Sequence, residues 1–147
     1  MKILSLLLLT VFLGKSCEGQ NKQILESAVI EYTANSRGFY QKITIQNQMV
    51  LISKDRSGND KAVATKIAAD DWEELVVYFK KIELDNLSKL KAPTEKRFYD
   101  GAPIATFKIM FKDETYKSPS FDHGFPPKNI EQFVNKINSF VKQKDEN

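Results

Sequence analysis

The chain of 147 residues holds one cysteine, one histidine and one tryptophan, with 6 glycines and 5 prolines. A lone cysteine cannot close an internal disulfide, so the folded part must be held by its own core. One histidine and one cysteine do not make the usual transition-metal ligand set. Arg56-Ser57-Gly58-Asn59-Asp60 offers oxygen atoms but not the spacing of acids that a calcium loop needs, and reads as a hairpin tip. No apolar run approaches the roughly 20 residues of a membrane-spanning helix. No acidic residue precedes Glu18. No catalytic or cofactor motif stands out, which leaves a cofactor-free chain as the expectation.

What the chain does have is a distinctive start. Lys2 precedes an apolar stretch from Ile3 to Leu13, followed by Gly14-Lys15-Ser16 and Cys17. A positive start, an apolar stretch of about 7–15 residues and small residues at its end are the marks of an export signal. Residues 1–16 are therefore read as a signal peptide, 17–26 as a polar tether, 27–142 as one domain and 143–147 as a polar tail. Leu13-Gly14-Lys15-Ser16-Cys17 resembles the lipobox of bacterial lipoproteins, with Gly14 where leucine is usual and Lys15 where a small residue is usual. The resemblance implies a lipid on Cys17 and membrane attachment through it. The alternative is cleavage after Gly19, which discards the cysteine.

The full chain carries 22 Lys and Arg against 19 Asp and Glu. Lys2 and Lys15 leave with the signal, so the exported part has 20 against 19, a balance of +1. A nucleic-acid binder shows a concentrated basic face. The densest group here, Lys89, Lys91, Lys96 and Arg97, reads as a solvated loop, and no nucleic-acid partner is expected.

Hydrophobic periodicity organises the rest. Ala28–Tyr32 reads as a strand, with turn chemistry at Asn35-Ser36-Arg37-Gly38. Phe39–Gln46 alternates, with Phe39, Gln41, Ile43 and Ile45 on one side and Tyr40, Lys42 and Thr44 on the other. Met49–Ser53 is a return strand and Lys61–Ile67 a fourth. The period then changes: Trp72, Leu75, Val76, Phe79 and Ile82 form one helical stripe. Asp70, Asp71, Glu73 and Glu74 at its start and Lys80 and Lys81 near its end complement the helix dipole. A long connection from Asn86 to Pro103 reads as irregular. Thr106–Phe111 and Thr115–Ser120 form a hairpin, and Phe121–Pro127 is a second irregular segment. Pro127 suits the first turn of a last helix, whose stripe is Ile130, Phe133, Val134, Ile137 and Val141. The expected class is α+β: an antiparallel sheet of about five to six strands with two amphipathic helices on one face.

Three loop clusters concentrate aromatic, glycine and ionisable residues. They are Arg37-Gly38-Phe39-Tyr40, Arg97-Phe98-Tyr99-Asp100-Gly101 and Phe121-Asp122-His123-Gly124-Phe125. Arginine with aromatics is the composition of binding hot spots, so Arg37, Tyr40, Arg97, Tyr99, Asp100, Asp122 and His123 are the candidate binding residues. The structural alternative pairs Arg37 or Arg97 with Asp100 or Asp122 and sets the rings at the edge of the core. Asp122 next to His123 has the composition of a base with an orienting carboxylate. Adjacent strand residues point to opposite faces, however, and no catalytic residue is assigned.

The Ser16-Cys17 junction, Ser36–Tyr40, Ala92–Gly101 and Ser120–Pro126 together resemble the small envelope lipoproteins of Bacteroidetes-type bacteria. That group brings no established activity. The resemblance implies a lipid-anchored periplasmic or outer-membrane domain. The expected function is non-enzymatic binding of an envelope protein or a small-molecule ligand. The alternatives are a hydrolase using Asp122 and His123, or a purely structural envelope component.

Overall fold

The computed structural model describes residues 17–146. The expected signal peptide, residues 1–16, lies outside the described residues. The order of elements is α1 (Cys17–Ser27), β1 (Val29–Ser36), β2 (Phe39–Gln46), β3 (Met49–Ser53), β4 (Thr65–Lys66), α2 (Ala69–Phe79), β5 (Ile104–Phe111), β6 (Glu114–Lys117), β7 (Phe121–Asp122) and α3 (Glu131–Asp145). Two 3₁₀ segments, Leu84–Lys89 and Lys96–Tyr99, occupy the connection after α2. No helix of the described residues is long and apolar enough to cross a membrane.

The sheet is antiparallel throughout, in the order β4-β3-β2-β1-β5-β6. β7 pairs with β5 at Ile104 and Ala105, on the edge that β6 leaves free beyond Lys108. The register aligns apolar side chains in rows across one face. Ile109, Ile30, Ile45 and Val50 make one row; Phe107, Tyr32, Ile43 and Ile52 make the next; Ala105, Ala34 and Gln41 make the third. All of these are buried. The opposite face stays open, with Glu31 bridged to Lys42 at 3.0 Å and to Lys108 at 2.5 Å.

The helices close the apolar face, as the α+β expectation requires. Trp72, Leu75, Val76 and Phe79 of α2 and Phe133, Val134, Ile137, Phe140 and Val141 of α3 are buried. The Phe133 ring links the layers, lying 5.8 Å from Phe79 and 5.7 Å from Phe107. Burying each such side chain contributes about 1.5–3 kcal/mol. Lys136 joins α3 to α2 through Asp71 at 2.7 Å and Glu74.

Several boundaries differ from the sequence reading. The stretch 17–26, expected as a tether, is helical, because Leu25 inserts fully into the core and Ile24 packs against it. Lys22 also reaches Glu73 of α2 at 3.2 Å. The tail expected from 143 continues α3 as far as Asp145. The strand expected over Lys61–Ile67 pairs only at Thr65 and Lys66. The connection 86–103, expected as irregular, holds the end of the Leu84–Lys89 3₁₀ segment and all of Lys96–Tyr99, and the segment 121–127, also expected as irregular, holds β7.

Two turns fix the geometry near the loop clusters. Gly38 has φ 83°, the left-handed region the tight β1–β2 hairpin requires. Gly101 lets the chain close on itself: a Cβ there would lie 2.9 Å from the Tyr99 ring and 3.1 Å from the Lys96 carbonyl oxygen.

Candidate functional site

The three loop clusters meet at one end of the sheet. β1 ends and β2 begins there, at the Ser36–Phe39 pair, and β5 begins beside them, with Ile104 opposite Asn35. β7 pairs with the same end of β5. The opposite end carries the β2–β3 and β5–β6 turns and the junction from α1 into β1. Gln20, Gln23, Ile24 and Ser27 of α1 line a groove with Phe111 and Lys112 at that end. The two ends are separated by the eight residues of β1, roughly 25 Å at strand rise.

Asp122 organises the loop end. It is fully buried and accepts four hydrogen bonds: from Thr94 Oγ1 at 2.6 Å, Lys96 N at 2.7 Å, Arg97 N at 3.0 Å and Arg97 Nη1 at 3.1 Å. Arg97 also donates to Ser120 Oγ and to the Thr94 carbonyl, and its side chain is 7 % exposed. Burial pushes the Asp122 carboxyl up, but the bonds from Thr94, Arg97 and Lys96 outweigh it and hold the pKa at about 2. The first turn of the Lys96–Tyr99 segment thus closes on a carboxylate 25 or more residues later in the chain. Asp122 and Arg97 form a clamp that shapes the loop.

The clamp displays aromatic side chains. Phe98 and Tyr99 are 70 % and 71 % exposed, and Phe125 is 45 % exposed. Cations lie over two of the rings: Arg97 at 4.2 Å from the Phe98 centroid and Lys96 at 4.8 Å from that of Phe125. Beside them Ser36 and Arg37 face Asp100, Gly101, Ala102 and Pro103 across a cleft of about 340 Å³. Arg37 and Asp100 therefore share a cleft.

No protein-family model, curated protein or solved structure matches this chain. The chemistry of the site therefore rests on its geometry.

His123 does not pair with Asp122. Its Nδ1 shares a 2.6 Å hydrogen bond with Tyr32 Oη, and its ring packs against Phe39 at 5.3 Å and Tyr32 at 5.9 Å. Burial lowers the His123 pKa and leaves the imidazole neutral at pH 7. Burial likewise raises the Tyr32 hydroxyl above the ordinary phenol range, against a hydrogen bond from Asn138. Gln41 Nε2 donates to Asn138 Oδ1 at 2.7 Å, and Asn138 Nδ2 donates to the Val134 carbonyl at 2.9 Å. Tyr32, Gln41, His123 and Asn138 thus form a polar cluster where α3 crosses the sheet.

Of the residues singled out in the sequence, Arg37, Arg97, Tyr99, Asp100, Asp122 and His123 gather at this end. Tyr40 is on the open face, with the Arg56 guanidinium 6.0 Å from its ring, and does not join them. Arg56 also donates to the Ser36 and Phe39 carbonyls, bracing the hairpin. Cys17 begins α1, at the far end of the sheet. The sequence reading missed Tyr32 and Asn138, which look like ordinary strand and helix positions. Gln41 carried a usable signal: it is the one polar residue on the apolar side of the Phe39–Gln46 alternation.

Proposed function

We propose that this is an exported protein, held at the cell envelope by a lipid on Cys17, whose loop end binds an envelope partner without catalysis. The observation that carries the reading is the exposed set Phe98, Tyr99 and Phe125 on a loop fixed by the buried Asp122–Arg97 clamp. Aromatic rings with arginine on a preorganised backbone are the usual anchors of an interface, because little entropy is lost on docking. Export and anchoring are supported by the Lys2–Cys17 sequence. Because α1 joins the sheet at its far end, a lipid on Cys17 leaves the aromatic loops facing away from the membrane. A hydrolase built on Asp122 and His123 is disfavoured, since Asp122 already accepts four bonds and His123 turns to Tyr32.

The test is crosslinked co-purification from the native envelope. Wild type is compared with an Arg37→Ala/Phe98→Ser/Tyr99→Ser variant, changed only at residues outside the clamp. A partner retained by wild type and lost by the variant at unchanged thermal stability supports the reading. The same partner recovered equally with both proteins refutes it.

A further inference from the structure

A second cleft lies between β2 and α3, bordered by the His123-Gly124 part of the loop end. It encloses about 400 Å³ and is lined by Gln41, His123, Gly124, Val134, Asn135, Asn138, Ser139, Val141 and Lys142. That volume is at the small end of the range for ligand sites. Its chemistry is one-sided. Three carboxamides, one hydroxyl and a neutral imidazole supply donors and acceptors, and among the described residues no carboxylate lines it. Val134 and Val141 are buried beneath it, and Phe39 backs the His123 ring. Among the described residues the only formal charge on its lining is Lys142, which is exposed and makes no ion pair with the others.

The polar side chains are held in place before any ligand arrives. Gln41 is fixed by Asn138, Asn138 by the Val134 carbonyl, and His123 by Tyr32. Gln41 occupies the third row of the core face between α3 and the small side chains Ala34 and Ala105. An apolar residue there would extend the core and needs no partner. The structure instead maintains a hydrogen-bonded amide at the floor of an open cleft, an arrangement that fits ligand recognition better than packing.

We infer that this cleft binds a small polyhydroxy carboxylate of the uronic-acid type. The exposed Asn135 carboxamide carries a donor and an acceptor side by side and matches adjacent hydroxyls of a sugar ring, while Asn138 Oδ1 keeps a lone pair beyond its bond from Gln41. Lys142 pairs with the carboxylate. A cation finds no counter-charge in the lining, and a purely apolar ligand strands the amides.

The single histidine of the chain gives a direct readout, because its imidazole resonances need no assignment among rivals. The full chain, kept in detergent, is titrated with glucuronate at constant pH above 7 while the His123 imidazole signals are followed by NMR. Glucose and acetate are run as controls. The expected result is a saturable shift with glucuronate that exceeds those of both controls. Lys142→Ala weakens glucuronate binding about tenfold, the loss expected of one charge-assisted contact. Asn135→Leu, at an exposed lining position, weakens it as well without altering thermal stability. A Phe98→Ser/Tyr99→Ser variant binds glucuronate like wild type, which separates this site from the loop surface. The inference is overturned if His123 does not respond at millimolar glucuronate, if acetate alone gives an equal response, or if Lys142→Ala and Asn135→Leu both bind unchanged.

Discussion

Replacing Asp122 by asparagine keeps the shape of the side chain and removes its charge. One oxygen must then serve donors that two now share: Thr94 Oγ1 and Lys96 N on Oδ2, Arg97 N and Nη1 on Oδ1. The amide nitrogen that replaces the other oxygen faces donors instead of acceptors. Arg97, 7 % exposed, is left as a buried cation without its counter-charge. Breaking a buried pair from one side costs about 3–5 kcal/mol, a large share of the 5–15 kcal/mol typical of a domain. Proton linkage gives a second figure of the same order. The Asp122 carboxyl falls from 3.8 to about 2 on folding, which corresponds to about 2 kcal/mol. A depressed carboxyl stabilises the fold fully above its unfolded value, and that stabilisation is lost as the pH falls through 4 towards 2. Urea denaturation of wild type and Asp122→Asn at pH 7 should therefore differ by about 3 kcal/mol or more, and the gap should narrow by about 2 kcal/mol between pH 4 and pH 2. A difference below about 1 kcal/mol at pH 7, or a gap that stays constant with pH, would show that the clamp does not hold the loop in this way.

Leu25→Ala should destabilise the domain by about 2–5 kcal/mol in urea denaturation, because the residue is fully buried; a silent substitution would return 17–26 to the role of a tether. Trp72→Ala should cost about 3–5 kcal/mol, whereas Trp72→Phe should cost far less, since the buried Nε1 has no partner among the described residues and its removal abolishes an unsatisfied donor. His123 should titrate by NMR below its ordinary 6.5 because burial disfavours the charged ring. Its contribution to stability is complete above that value and declines as the pH drops through the folded pKa. An imidazole that titrates above 6.5 would contradict the Tyr32 contact and the burial described here.

Elements with a long periodic pattern were legible in the sequence. β2 and β3 have the expected limits, Phe39–Gln46 and Met49–Ser53, because alternation over a half-buried sheet is a strong local signal. The α2 stripe was equally plain: Trp72, Leu75, Val76 and Phe79 all face the core. α1 was not legible, since Gln20-Asn21-Lys22-Gln23 is polar and only Ile24 and Leu25 reach the interior. Its helix is decided by tertiary packing, which overrides a weak local pattern. β7 has two residues, too few for any period. The Lys96–Tyr99 segment carries no local mark either, because its amides are satisfied by Asp122, more than 20 residues away. At the candidate site the loop compositions were readable, but Tyr32 and Asn138 acquire meaning only when α3 is laid on the sheet.

The distribution of polar groups at the loop end is the argument for the proposed binding role over a hydrolytic one. A general acid or base needs an ionisable group that remains available to a reacting atom. Asp122 is the most strongly buried acid at the loop end, and its acceptor capacity is committed to Thr94, Lys96 and Arg97. His123 is turned away from it towards Tyr32. Asp122 and His123 thus maintain the loops, while Phe98, Tyr99 and Phe125 are left on the surface beside the cleft that Arg37 and Asp100 share. The binding role proposed above would use that division: buried charge holds a backbone in one shape, and exposed rings on a rigid loop lose little entropy when a partner covers them.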